Sequence, residues 1–138
     1  MLAFCSSNST ARFSSLSVKP GHSSNSASNN TPLTIPDSGP GSPYPSTINL
    51  AGTTGTVTRV TVTLSGLSHT FPGDLDIMLV SPSGQQVMLM SDVGGTNDIA
   101  AANLTFSMAA LTNLPDTIVS GTYVPTHATF GDVMAAPA

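Results

Sequence analysis

Asp74 and Asp76 stand two residues apart in Gly73-Asp74-Leu75-Asp76-Ile77. On a strand, such positions share one face about 7 Å apart, so their carboxylates repel unless a cation or hydrogen bonds intervene. A hard cation takes roughly 6–8 oxygen ligands. Asp92, Asn97 and Asp98, in the loop Asp92-Val93-Gly94-Gly95-Thr96-Asn97-Asp98, offer oxygen side chains of the required kind. Asp74, Asp76, Asp92, Asn97 and Asp98 therefore form a candidate metal set, with Asp74 its leading member. The competing reading has Asp74 capping a turn through its own backbone and the others as solvated loop residues.

Phe106-Ser107-Met108-Ala109-Ala110 imitates the Ser-Met-Ala around the nucleophile of subtilisin-like proteases, but its flanks differ. Thr105-Phe106 replaces the Gly-Thr that precedes such a serine, and Leu111 stands where a Pro is expected. A serine nucleophile also needs a base and an orienting acid. His22 falls in a Ser-rich leader, His69 precedes a turn and His127 sits near the tail, none in the setting of a protease histidine or aspartate. No residue is assigned a catalytic role. His69 reads as a structural residue at a strand entrance, Met78, Met88 and Met90 as core filler, and Gly94-Gly95 as a turn rather than a phosphate loop.

The elements that must position these residues are strands. In 138 residues of 14.0 kDa, charged residues are 7%, all seven carboxylates are Asp, and Lys19 is the only lysine. The side chains that cover exposed helix faces are nearly missing. Ser and Thr number 38, with Gly 12 and Pro 11, which suits many short strands and turns. A net charge of -4 argues against nucleic acid as a partner. Cys5 stands alone, so neither an internal disulfide nor a zinc cluster is available. No apolar run approaches the roughly 20 residues of a membrane span.

Residues 1–32, with ten Ser and four Asn in the first 30, show no period of 2 or 3.6 and are expected to form a disordered leader or linker. The domain is expected over 33–138. Turn signals crowd 35–45, and 47–51 is a short strand candidate. Over 58–64, Val60, Val62 and Leu64 alternate with Arg59, Thr61 and Thr63, the period of a half-buried strand. Leu75, Ile77 and Leu79 alternate likewise over 74–81, and 86–91 sets Val87 and Leu89 against Met88 and Met90. Ser81-Pro82-Ser83-Gly84 joins these two as a hairpin. Further strands are expected at 103–107, 117–120 and 122–124, and none in the tail from 125.

His69-Thr70, Gly73-Asp74-Leu75, the strand to Val80 and Ser81-Pro82-Ser83-Gly84 occur in an order that resembles the P domain of proprotein convertases. Ile35-Pro36-Asp37, Leu64-Ser65-Gly66-Leu67 and Gly94-Gly95-Thr96-Asn97-Asp98 extend the likeness, which spans about 33–134. The resemblance implies an all-β fold, a β-sandwich of jelly-roll type, found beside a subtilisin-like catalytic domain or in large secreted bacterial proteins. It implies calcium as the cation of the Asp set. The family closes with a Trp-containing strand and a last strand. This chain has no Trp, so the expectation is a P-domain-like fragment lacking its last strands.

Three functions follow, different in class. The first is a non-catalytic, secreted P-domain-like module that stabilises or accompanies a subtilisin-like serine protease, or another extracellular domain of a larger parent, and binds calcium. The second is a carbohydrate-binding or adhesive jelly roll, which the 5% aromatic content disfavours. The third, serine endopeptidase activity, would belong to a full-length parent and not to these residues.

Overall fold

The computed structural model describes residues 2–5, 8–20, 24–36 and 39–128. Nine strands run in chain order: β1 (Leu2–Cys5), β2 (Asn8–Pro20), β3 (Asn25–Pro36), β4 (Val57–His69), β5 (Asp76–Val80), β6 (Gln86–Ser91), β7 (Ile99–Ser107), β8 (Gly121–Tyr123) and β9 (Thr126–His127). Among the described residues there is no α-helix, and a single 3-10 turn, Pro72–Asp74, precedes β5. One sheet has the order β1-β5-β6-β9 and the other β3-β2-β4-β7-β8. Ile77, Leu89 and Met90 from the first, with Leu75 just before β5, share one buried cluster with Leu33, Val62, Leu64, Leu104 and Phe106 from the second. The fold is an all-β sandwich.

The alternation over 58–64 extends into a longer strand. Val62 and Leu64 point inward, a break follows, and Leu67 and His69 resume the inward face. The break is made at Gly66, whose φ of 66° suits a residue without Cβ. Its N–H donates to Asn103 Oδ1 at 3.0 Å. The hairpin β5–β6 closes through Ser81, whose carbonyl accepts from Gly84 N–H at 3.0 Å and whose hydroxyl accepts from Gln85 N–H at 3.0 Å.

Five expectations change. Met78 pairs with Met88 but Ile77 pairs with Met90, so Leu89 is an extra residue and a bulge turns both Leu89 and Met90 into the main core. Met90 therefore does not share the outer face of Met88, which packs near Met78, Val80 and Tyr44. The segment 47–51 forms no strand, nor does 117–120, while β9 is a short strand in the region expected to have none. The last correction is the leader. Residues 8–20 form a strand between β3 and β4, and the boundary drawn between 32 and 33 falls inside β3. Ladders on both sides hold β2 regardless of its weak side-chain period, while Val18 is buried and Leu16 packs on the core. Asp37, His22 and the tail 129–138 lie outside the described residues.

Candidate functional site

The segments that carry the Asp set meet at one end of the sandwich. His69 is 2% exposed, and its Nδ1 accepts from Phe71 N–H at 2.9 Å. The chain then makes its 3-10 turn, with Asp74 N–H donating to Phe71 O and Leu75 N–H to Pro72 O, each at 3.0 Å. Gly73 N–H donates to Gly95 O at 3.0 Å, which binds this turn to the loop 92–98. Gly94 has φ 93°, and a Cβ on it would fall 2.6 Å from Ile118 Cδ1 and 2.8 Å from Pro72 Cβ. Only glycine fits there. Asn97 Nδ2 donates to Asp116 O at 3.1 Å and so ties in a third loop.

At this junction the five metal candidates divide between two segments, Asp74 and Asp76 on one and Asp92, Asn97 and Asp98 on the other. Asp74 closes the 3-10 turn and Asp76 opens β5, so the shared strand face expected of the pair does not form. Asp74, Asp92, Asn97 and Asp98 are exposed and Asp76 is half-buried. Asp92 adopts φ 54° and its Oδ2 accepts from Ser91 Oγ at 3.3 Å. Among the described residues no group of three or more His, Cys, Asp or Glu is placed to hold a metal ion. What the structure does bring together is Asp74 and the loop 92–98, through Gly73 and Gly95.

A family model for the proprotein convertase P-domain matches residues 57–123, the stretch from β4 to β8. No curated protein and no solved structure matches the chain. Residues 57–123 are identified as a proprotein convertase P-domain. Both sheets of the P domain contribute to the matched stretch, and so does the whole junction from His69 to Ile118. Strands β1 to β3 lie before it.

Ser107, which imitates a protease nucleophile, ends β7 in this P domain. It is buried, and its Oγ accepts from Ala109 N–H at 3.2 Å within its own turn. His69 sits opposite Ile99, eight positions along β7 from Ser107, a separation of about 26 Å at the rise of a strand. That distance prevents proton transfer between them. The residues that sequence reasoning passed over are Gly94, Ile118 and Asn97 as locks of the junction. A Gly pair in a loop signals backbone freedom but not which side chains will press on it.

Proposed function

We propose that the chain is a non-catalytic accessory module of an extracellular protein, accompanying a subtilisin-like serine protease domain and stabilising it. The observation that carries this reading is the P-domain match over 57–123, together with a Ser107 hydroxyl engaged in its own turn and far from His69. No helix among the described residues is long and apolar enough to cross a membrane. The carbohydrate-binding alternative gains nothing from the structure: Tyr123 and Phe106 are buried, Tyr44 is half-buried, and Phe71 is 42% exposed.

Calcium enters the same reading as an ion at the junction, with Asp74 and the loop 92–98 as its protein donors and backbone carbonyls and water supplying the remainder. A ligand that binds only the folded state raises Tm by mass action. Thermal melts by circular dichroism with millimolar calcium and with chelator test this, and the expected outcome is a higher Tm with calcium that Asp74→Asn removes. The accessory role is tested by fusing the chain to a subtilisin-like catalytic domain. Fusion is expected to raise the Tm of that domain, while the chain alone leaves a dibasic fluorogenic peptide intact. Turnover by the chain alone that Ser107→Ala abolishes would overturn the reading.

A further inference from the structure

At the end of the sandwich away from the junction the two sheets part around a groove of about 460 Å³. Its walls are apolar: Val60 and Phe106 from one sheet, Leu79, Val87 and Leu89 from the other, with Val57 and Met108 at the mouth. Val57 is 50% exposed and Met108 78%, so apolar side chains at the mouth of the groove stand open to water.

Two strand edges border it. β7 meets β4 only from Thr61 onward, which leaves Val57 to Val60 unpaired on that side. β9 meets β6 only at Met90 and Ser91, which leaves Gln86 to Leu89 without a described partner on theirs. Open edges beside an apolar slot suit an extended chain, because a strand satisfies the backbone while alternate side chains enter the slot.

The rim carries charge of one sign. Arg59 lines the groove and lies directly opposite Lys19 across the β2–β4 ladder, both exposed on one face. Like charges in that relation are unfavourable, and no ion pair links either to a described carboxylate. The chain has three basic residues in all and a net charge of -4. Two of the three thus stand together beside this groove, Arg59 in its lining and Lys19 next to it across the ladder, on a molecule whose overall field repels acidic ligands elsewhere.

We propose that this groove docks an extended peptide segment of a partner protein, with apolar side chains at alternate positions and a carboxylate that pairs with Arg59, whose repulsion from Lys19 across the β2–β4 ladder it relieves. The segment adds as a strand along the Val57–Val60 edge. Its source need not be a protease, so the inference stands or falls apart from the accessory role proposed above.

The test uses the full chain and three fluorescein-labelled peptides of alternating Val and Thr that carry at one end Asp, Asn or Lys. Fluorescence anisotropy is expected to show the Asp peptide bound about tenfold more tightly than the Asn peptide at low salt, a preference that fades in roughly 0.5 M salt. The double variant K19E/R59E, folded by circular dichroism, is expected to reverse the order in favour of the Lys peptide. Val87→Lys, on the opposite wall, is expected to weaken all three. Equal binding of the Asp and Asn peptides would overturn the proposal, as would the absence of binding. Concentration-dependent self-association that the Asp peptide does not displace would also overturn it, since a second copy would then be the occupant.

Discussion

The two ends of this sandwich are built on opposite terms. At the junction end, three loops are fastened by backbone and side-chain hydrogen bonds, and Gly94 lets Ile118 and Pro72 approach closer than any Cβ would allow. At the groove end, the strands stop at different lengths and leave Val57, Val87 and Met108 in contact with water. The first arrangement fixes a shape; the second leaves apolar area whose burial is worth about 25 cal/mol per Å² to whatever covers it. Substitutions should therefore be costly in the isolated chain at the junction and nearly silent at the groove, where their cost should appear only on binding.

The largest effect is expected at Gly94. Gly94→Val combines a strained φ with a clash against Ile118 and Pro72, and should destabilise by about 3 kcal/mol or more. Gly84 supplies the control, since its φ is 84° but a Cβ there meets nothing within 4 Å. Gly84→Val should cost only the backbone strain, roughly 1–2 kcal/mol. Urea denaturation of both variants gives the difference, and equal losses would show that the junction is not tightly packed. Next comes His69→Leu. The substitution keeps the site apolar but leaves Phe71 N–H without its acceptor, at a cost of about 1–3 kcal/mol. Faster amide exchange at Phe71, with β7 protection retained, would place the damage in the turn.

This gradient was only partly legible in the sequence. The alternation of Val60, Val62 and Leu64 and the Ser81-Pro82-Ser83-Gly84 turn were readable because each obeys a short-range rule: a period of two, or a turn composition. β2 and β3 were hidden for the converse reason. Their ladders bind residues far apart in sequence, Lys19 with Arg59 or Leu16 with Val62, and Ser-rich strands show little of the period that marks a core face. The bulge at Leu89 escaped too, because an extra residue on one strand is defined only by its partner across the hairpin. The candidate metal residues were readable as types; their distribution over a 3-10 turn, a strand start and a loop was not. The Lys19–Arg59 pair depends on strand register and leaves no mark in either local sequence.

The smallest effect is expected at the groove mouth. Val87 at the mouth is 46% exposed and Leu111, which does not line the groove, is 98% exposed, so neither loses much burial when made polar. Val87→Thr and Leu111→Ser should each shift the stability of the isolated chain by no more than about 0.5 kcal/mol. Val62 offers the contrast, because it is buried against both sheets. Val62→Thr puts a hydroxyl into that core and should cost roughly 1–3 kcal/mol. A hydrophobic dye sharpens the distinction: Val87→Thr should reduce dye fluorescence on the folded chain without lowering Tm, because it removes apolar surface that water already reaches. A fall in Tm comparable to that of Val62→Thr would mean that Val87 is buried in solution, and the contrast between a fastened end and an open one would then be lost.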